Sequence, residues 1–250
     1  MTIATPAFRT RLATSEADLQ AAQRLRYEVF VEELGGGGPL VDHAARLERD
    51  RFDPYFDHLL LTEEGAGQVI GVYRLLRGDR AEAAGGFYSE GEYDLGVLKR
   101  SGRSLLELGR SCVHRDFRGG VAMMHLWSAL ADYVRTHRIE ILFGVASFHG
   151  ADPMRHAAAL SLLHHAHLAP EPLRVRARSP SFQRMDLVPP AEIDRVAAMR
   201  HVPALIKSYL RLGGVVGEGA FVDRAFNTTD VCMVLEVGAI PAAQRSRLLA

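Results

Sequence analysis

The stretch SLLELGRSCVHRDFRGGVAMMHLW, residues 104–127, decides the fold because a strand, a tight loop and a helix start follow one another directly. Residues 104–113 are mostly apolar, as in a buried strand. Beyond the loop, apolar residues recur at helical spacing: Met123, Leu126, Trp127, Leu130 and Val134. They predict a helix over residues 121–137.

The segments around this stretch extend it into a sheet. The run at 139–148, IEILFGVASF, has no polar alternation, which favours a strand that is covered on both faces and pairs in parallel with 104–113. Upstream, the sequence predicts a strand, then a helix over 17–34 with Ser15 at its N-cap, then a hairpin over 58–77. The polar, glycine-rich segment 78–94 is predicted as one long loop. Two apolar runs after Gly213 predict the last strands. The fold class is therefore α+β in three layers, with a mixed, mostly antiparallel sheet, a central parallel strand pair and flanking helices. We expect a single domain over 1–250, in which 191–250 completes the sheet.

The composition is that of an ordinary globular protein. The chain is 48% hydrophobic, and its 30 basic and 30 acidic residues cancel, so nothing indicates nucleic-acid binding. Cys112 and Cys232 lie in apolar runs, which predicts buried free thiols. The first residues lack a signal core, and no run approaches the roughly 20 apolar residues of a membrane span. We therefore expect a cytoplasmic protein.

Two charged residues interrupt the apolar strand. Burying an unpaired carboxylate is costly, so Glu107 must be paired or functional. Residues three apart on a regular strand point to opposite faces, but a bulge at Gly109 would bring Glu107 and Arg110 to one side. The residues alone leave two interpretations open: a buried ion pair, or a catalytic base at Glu107.

The loop HRDFRGG precedes a helix, and free N–H groups at a helix start bind anions. Arg115 and Arg118 add positive charge, so the loop is either a phosphate site or a solvated basic turn. Asp50 and Asp53 either bind a cation or lie in a solvated loop. A metal site is not predicted, because the histidines at 164, 165 and 167 lack further ligands at suitable spacing.

Several segments, in their order, resemble the acyl-carrier-protein-dependent branch of the GNAT acyltransferases. They are LRYEVFVEELG, RFDPYFDHLLL, VIGVYRLLR and LLELGRSCVHRDFR, and they are similar to acyl-homoserine-lactone synthases and to ornithine N-acyltransferases. FHGADP, LHHAHLAP and the segment that begins PALIKSYLRLGG resemble the ornithine enzymes, the haemolysin-like branch. The resemblance covers about residues 20 to 237.

The resemblance implies roles for single residues. As catalytic residues it implies Glu107 and Arg110, and as substrate-binding residues it implies Arg26, Phe30, Asp50, Asp53 and Arg74. As residues that bind the donor it implies Ser111, Cys112, Val113, Arg115, Arg118, Gly119 and Gly120. The family tryptophan after Phe30 is absent, which argues against homoserine-lactone synthesis. Arg118 stands where the usual coenzyme A loop has its first glycine, which makes acyl-CoA the less expected donor.

The resemblance implies transfer of a (3-hydroxy)acyl chain from acyl carrier protein to the α-amine of L-ornithine, giving lyso-ornithine lipid. No cofactor would be bound permanently, because the donor is acyl-phosphopantetheine on the carrier. Arg115, Arg118, Arg174, Arg176 and Arg178 are candidates for docking the acidic carrier. Transient contact with the inner membrane would follow from a lipid product. The alternatives are an N-acyltransferase for another amine, such as glycine, tyrosine or a homoserine-lactone precursor, and a membrane-active haemolysin-like protein.

Overall fold

The computed structural model describes residues 7–38, 40–65, 67–118 and 121–241. The strands are β1 Phe8–Leu12, β2 Asp57–Glu63, β3 Val69–Arg77, β4 Tyr93–Asp94, β5 Leu105–Val113, β6 Ile141–His149, β7 Arg176–Ala177, β8 Phe182–Gln183, β9 Val215–Val216, β10 Ala220–Asp223 and β11 Thr228–Glu236. The helices are α1 Glu16–Arg26, α2 Gly78–Ala81, α3 Gly96–Lys99, α4 Val121–Thr136, α5 Ala157–His167, α6 Arg195–His201 and α7 Ala204–Arg211. Among these described helices, none has the length and hydrophobicity that crossing a membrane requires.

The chain divides into two compact units. The first contains the described residues up to Leu76 together with Leu108–Arg138, and the second contains Arg77–Glu107 together with the described residues from Ile139 onward. Strand β5 contributes its first three residues to the second unit and its last six to the first. The prediction of one domain over 1–250 stays a prediction, and part of its last segment, 242–250, lies outside the described residues.

The first unit is a layered sheet. β1, β2 and β3 form an antiparallel meander, and β5 follows β3 in the strand order. Successive residues of β2 point to opposite faces. Leu60 packs in a cluster with Ala22 and Leu25 of α1, whereas α4 packs on β1 and β2, and its Leu126 approaches Leu61 and Gly71 of the sheet. A helix therefore covers each face.

The first helix changes from α-helical to π-helical winding directly after Arg26. Ser15 caps α1 by accepting a hydrogen bond from the Asp18 N–H, as predicted. The segment predicted as one helix to residue 34 is α-helical only to Arg26 and continues as a π-helix over Tyr27–Glu33. π-helical turns are rare in proteins, but those that occur are often found at functional sites.

The second unit holds the parallel pair. Leu105–Glu107 of β5 pairs in parallel with Ile141–Phe143 of β6, and β11, β10 and β8 continue the sheet in antiparallel pairing, with β9 also on β11. The mixed, mostly antiparallel sheet with one parallel pair confirms the predicted architecture. The last three strands, all after residue 191, belong to this sheet.

Two predictions for the second unit need correction. β6 was expected to be covered on both faces, but its second half alternates, with Ser147 and His149 exposed and Ala146 and Phe148 buried. The segment 78–94, predicted as one long loop, contains α2, a 3₁₀ turn over Tyr88–Gly91 and β4. Short turns leave no periodic pattern in the sequence, because each is held by single hydrogen bonds instead of a buried face.

Candidate active site

A fully buried arginine forms the centre of a charge cluster in the first unit. Arg26, at the end of α1, has no solvent exposure. Its Nε donates to Glu48 Oε2 at 2.5 Å, and its Nη1 and Nη2 donate to the two carboxylate oxygens of Asp53 at 2.7 and 3.1 Å. Nη2 also donates to the Glu48 backbone carbonyl at 2.7 Å. The planar guanidinium suits this two-pronged contact with Asp53.

A second arginine reaches the same carboxylate from β3. Arg74 is 1% exposed, and its Nη1 donates to Asp53 Oδ1 at 2.9 Å and to Asp50 Oδ2 at 2.6 Å. Its guanidinium carbon lies 4.3 Å from the centre of the Phe56 ring, within the range of a cation–π contact. Arg74 thus joins the two aspartates.

The third arginine comes from the distorted part of β5. Arg110 Nε donates to Glu48 Oε1 at 3.1 Å, and its Nη2 lies 3.7 Å from Asp50 Oδ2. Its φ of 48° is left-handed, which costs a non-glycine residue roughly 1–2 kcal/mol. The bulge predicted at Gly109 stays a prediction; the left-handed residue is its neighbour Arg110. A Cβ at Gly109 would meet Arg74 Nε at 3.9 Å, an ordinary contact.

The charges of this cluster balance, with three guanidinium groups facing three carboxylates. Burial by itself would raise the pKa of Glu48, but Arg110, Arg26 and Arg74 together lower it below its usual range. Burial likewise opposes ionisation of Asp53, and Arg26 and Arg74 still hold its pKa far below the ordinary value. Both carboxylates are therefore charged at neutral pH.

Two neutral side chains complete the surroundings of Asp53. Gln23 Nε2 donates to Asp53 Oδ2 at 2.9 Å, and His58 Nε2 lies 3.0 Å from the Asp53 backbone carbonyl. His58 is 4% exposed, and burial lowers its pKa. Because Gln23, Arg26 and Arg74 all donate to the Asp53 carboxylate, Asp53 holds the cluster together and has little capacity left for a ligand.

Asp50 forms the open edge of the cluster. Its side chain is 18% exposed, against 3% for Asp53. It lines a pocket of about 540 Å³ together with Leu40, Val41, Asp42, His43 and Arg49. In this pocket Arg49 Nη2 donates to Asp42 Oδ2 at 2.5 Å. The wall thus offers two carboxylates and one guanidinium, the groups that complement an amino acid with a second amine.

Glu107 lies in the second unit and is 1% exposed. Its Oε1 accepts hydrogen bonds from the Ser89 N–H at 2.6 Å and the Ser89 hydroxyl at 2.5 Å, and its Oε2 accepts one from the Tyr88 N–H at 2.8 Å. These N–H groups open the 3₁₀ turn over Tyr88–Gly91, so the carboxylate satisfies donors that the turn cannot pair internally. Three donors fix the orientation of the Glu107 carboxylate.

The two interpretations of Glu107 and Arg110 were an ion pair or a catalytic group. The structure gives Glu107 partners at Tyr88 and Ser89, and gives Arg110 partners at Glu48 and Asp50. The Glu107 carboxylate accepts from uncharged donors, whereas Arg110 faces two carboxylates. The choice between the two interpretations stays a prediction.

The end of β5 carries the residues predicted to bind the donor. Ser111 is half-buried, whereas Cys112 and Val113 are buried. Burial raises the pKa of Cys112 to about 12, which excludes a thiolate nucleophile there. Cys232 is likewise a buried free thiol, as predicted.

The loop after β5 is only partly described. Arg115 is exposed, while Arg118 donates to both carboxylate oxygens of Glu33 at 2.5 and 2.8 Å and to the Val113 carbonyl at 2.9 Å. The charge of Arg118 is therefore neutralised in this structure, and the Arg118 hydrogen bond lowers the pKa of Glu33. Gly119 and Gly120, predicted to bind phosphate, lie outside the described residues.

The other predicted docking arginines lie in the second unit. Arg174 Nε donates to the Ala169 carbonyl at 2.7 Å, and Arg178 Nε donates to the Tyr93 carbonyl at 3.2 Å. Arg176 pairs with Glu218 and lies over the Phe182 ring. The side chains of Arg174 and Arg178 are thus held by backbone carbonyls, and Arg176 is neutralised by a carboxylate.

The resemblance implied site roles for Arg26, Asp50, Asp53, Arg74 and Arg110, and the structure joins all five in one network. Phe30, predicted to bind substrate, packs beside the apolar cluster of Ala22 and Leu25. Glu48, Gln23 and His58 were missed. Glu48 lies in the charged run RLERDRFD, where nothing distinguishes a buried carboxylate from a solvated one.

A separate acidic group lies in the second unit. Carboxylate oxygens of Glu92, Asp223 and Asp230 lie within 4.8 Å of one another. Asp223 accepts hydrogen bonds from the N–H groups of Ala225 and Phe226, and Asp230 accepts one from the Thr228 hydroxyl. Each of these bonds engages a single oxygen of its carboxylate. A group of acidic residues does not by itself identify a cation site, so we assign no metal to this group.

Comparison with known proteins places this arrangement in a family. The acetyltransferase (GNAT) domain family matches residues 25–128. A protein of Rhodobacter capsulatus named L-ornithine N(alpha)-acyltransferase is 59% identical over 250 residues, which cover 98% of this chain and 96% of that protein. A protein of Brucella abortus with the same name is 45% identical, over 91% of this chain and 83% of its own length.

Solved structures share the fold at low identity. An N-acyl amino acid synthase from uncultured soil microbes has a TM-score of 0.58 at 12% identity, covering 96% of this chain and 99% of its own. A CoA-dependent acyl-homoserine lactone synthase has a TM-score of 0.53 at 15% identity, covering 98% of this chain and 88% of its own. The fold and the high identity to curated relatives agree: the chain is a GNAT-fold acyltransferase and belongs to the L-ornithine N(alpha)-acyltransferase family.

Proposed function

We propose that the protein transfers a (3-hydroxy)acyl chain from acyl carrier protein to the α-amine of L-ornithine and so forms lyso-ornithine lipid. The observation that carries this proposal is the charge cluster that opens through Asp50 into a pocket with a second carboxylate, Asp42, and a guanidinium, Arg49. The names of the relatives, at 59% and 45% identity, support ornithine as the acceptor.

The pocket beside Asp50 is the proposed acceptor site. Ornithine carries two amines and one carboxylate. Asp50 would bind the side-chain ammonium, since its carboxylate is the exposed member of the cluster. Arg49 would bind the substrate carboxylate, as guanidinium groups favour carboxylates. Asp53, which is buried and already accepts bonds from Arg26, Arg74 and Gln23, would position Asp50 through Arg74.

The reaction is a direct transfer between substrates. The α-amine must lose its proton before its lone pair attacks the thioester carbonyl carbon. The new C–N bond forms, the negative charge passes to the carbonyl oxygen, and collapse then breaks the C–S bond. The phosphopantetheine thiolate leaves and takes up the proton that the attacking nitrogen releases as the amide forms. Backbone N–H groups at Ser111–Val113 are proposed to stabilise the oxyanion.

Glu107 is the proposed base, and Arg110 assists by holding Glu48 and Asp50 in place. Because three hydrogen bonds hold the Glu107 carboxylate, we propose that it accepts the proton through a water molecule. A Glu107→Gln variant that is folded and keeps near-wild-type turnover would remove Glu107 from the mechanism.

The donor is proposed to be acyl carrier protein, with acyl-CoA less expected. Arg115 and Arg118 are both exposed in the loop after β5, but Arg118 is paired with Glu33. Arg115→Glu should therefore raise the KM for the carrier and leave the KM for ornithine unchanged. Arg24→Glu, at an exposed position of α1, is the matched control. An equal effect in both variants would move the carrier to another surface.

An acyl-transfer assay in vitro would test the whole proposal. It combines the purified protein with acyl carrier protein loaded with a 3-hydroxyacyl chain and with a panel of amines. Mass spectrometry should detect N-acylated ornithine as the main product and little product with glycine or tyrosine. Preference for another amine would contradict the acceptor assignment. Equal rates with acyl-CoA would contradict the donor assignment. Because the product carries an acyl chain, transient contact with the inner membrane is part of the proposal.

A further inference from the structure

A groove in the second unit combines an apolar floor with a basic rim. It lies along α5, α6 and α7 and has a volume of about 540 Å³. Leu162 and Ala166 of α5 and Met199 of α6 contribute its apolar lining. Val196, also in the lining, is 63% exposed, one of the most exposed large apolar side chains that the structure describes. Such a surface favours a partner that is itself partly apolar.

The rim of the groove is positively charged and not neutralised. Arg195, Arg200 and Lys207 all line it, and within the described ranges no carboxylate lies within 4.0 Å of any of them. Lys207 Nζ donates only a long bond of 3.5 Å to the Arg200 carbonyl. Arg118 and Arg176, by contrast, are paired with glutamates. Among the residues that the structure describes, none of those that line the groove is acidic.

The remaining polar residue of the groove does not change this balance. Burial lowers the pKa of His167, and the nearby charge of Arg195 lowers it further. His167 is therefore neutral at physiological pH. The groove thus presents three fixed positive charges around apolar side chains. Asp194, next in sequence to Arg195, caps α6 by accepting from the Val196 and Ala197 N–H groups.

We propose that this groove docks the protein on a membrane surface that contains anionic phospholipid. Guanidinium and ammonium groups bind phosphate oxygens, and their aliphatic stems lie along apolar surface. An exposed apolar residue flanked by cations is the arrangement of interfacial membrane contacts, in which apolar insertion adds to attraction by anionic lipid. A phospholipid matches both parts of the groove: its headgroup the basic rim, and its acyl chains the apolar floor and Val196.

An acidic protein helix would also match the charge, but it explains the groove less well. The carboxylates of such a helix would pair with the cations of the rim. They would not account for Val196, an apolar side chain of the groove that is mostly exposed to solvent. The proposal rests on the membrane contact included in the proposed function and names the surface that makes it; it concerns binding in the absence of any substrate. Its failure would leave the acyltransferase assignment untouched, and the reverse is also true.

Co-sedimentation of the full-length protein with vesicles tests the proposal. One set contains phosphatidylglycerol and phosphatidylethanolamine, and the other contains phosphatidylcholine alone. The wild-type protein should bind the anionic vesicles and not the neutral ones, and added salt should weaken binding. The variant Arg200→Gln with Lys207→Gln should lower the apparent binding constant by on the order of tenfold.

A matched variant separates the groove from net charge. Arg24→Gln with Arg224→Gln removes the same charge at exposed positions outside the groove and should bind anionic vesicles like wild type. Val196→Ser should weaken binding without changing charge. Thermal unfolding of every variant should match wild type, which shows that the changes are local.

Three results would overturn the proposal. The first is absence of wild-type binding to anionic vesicles. The second is equal loss in the groove variant and the matched variant. The third is unchanged vesicle binding in the groove variant together with a raised KM for acyl carrier protein, which would assign the groove to a protein partner.

Discussion

Replacing Asp53 by Asn would test whether that carboxylate holds the buried charge cluster together. Asp53 is 4% exposed and accepts hydrogen bonds from Gln23, Arg26 and Arg74. An amide at this position would remove the negative charge opposite two guanidinium groups and turn an N–H donor towards them. Removing one partner from a buried ion pair costs about 3–5 kcal/mol.

That cost predicts a large thermal effect. For a chain of this size, 1 kcal/mol corresponds to about 2–4 °C in Tm. Asp53→Asn should therefore lower Tm by roughly 10 °C, measured by calorimetry without substrates. A domain typically has only about 5–15 kcal/mol of stability, so a purified variant should still fold at low temperature.

Asp50→Asn is the matched comparison, three residues away and with the same chemical change. Its side chain is 18% exposed, and its main contact is Arg74 Nη1 at 2.6 Å. Solvent reduces the value of such a pair to about 1 kcal/mol, so Tm should fall by no more than about 4 °C. The KM for ornithine should instead rise by on the order of tenfold, because an ammonium loses its carboxylate. Equal losses of Tm in the two variants, or an unchanged KM in Asp50→Asn, would refute this division of roles.

Three further outcomes follow from single buried positions. The pKa of His58 in the folded protein lies below the ordinary 6.5. Its contribution to stability is therefore complete above pH 6.5 and is lost as pH falls through the folded pKa. His58→Gln should make the free energy of unfolding, measured with urea, depend less on pH in this range. Burial raises the pKa of Cys112 to about 12, so maleimide should label it only in denaturant, as read by peptide mass spectrometry; labelling of the folded protein would show that it is accessible. At Gly219, φ is 77° and an added Cβ would collide with the Phe182 ring, so Gly219→Ala should lower the free energy of unfolding by about 1–3 kcal/mol, whereas Gly37→Ala, with open space around it, should not.

The fold was largely predictable because its elements bury continuous apolar faces. α4 repeats its apolar residues at helical spacing, and β6 begins with a fully apolar run, so both were recognised from one sequence. The turns between residues 78 and 94 were not. Among them, the 3₁₀ turn over Tyr88–Gly91 is held by the Glu107 carboxylate, which lies 18 and 19 residues along the chain from the N–H groups of Ser89 and Tyr88.

The arginines and aspartates of the candidate site were expected from the family resemblance. Their remaining partners in the cluster were not. Glu48 contacts both Arg26 and Arg110, across 22 and 62 residues of sequence. Its neighbours in the chain are charged, as on a solvated surface. Burial of such a residue depends on charge balance between distant parts of the chain. The three arginines require three carboxylates, and because the two aspartates supply only two, Glu48 supplies the third.

The hydrogen bonds of Glu107 allow a base and a positioning residue to be distinguished by one variant, Ser89→Ala. This change removes the hydroxyl that donates to Oε1 at 2.5 Å and keeps the backbone donors of Ser89 and Tyr88. If Glu107 takes the proton of the amine, loss of a donor makes the carboxylate a stronger base. The acidic limb of the pH–rate profile should then move to higher pH. If Glu107 only orders the turn over Tyr88–Gly91, kcat should fall while the limb stays in place. We expect the acidic limb of the pH–rate profile to move. A lower kcat with this limb at its original pH would instead show that Glu107 positions the turn over Tyr88–Gly91.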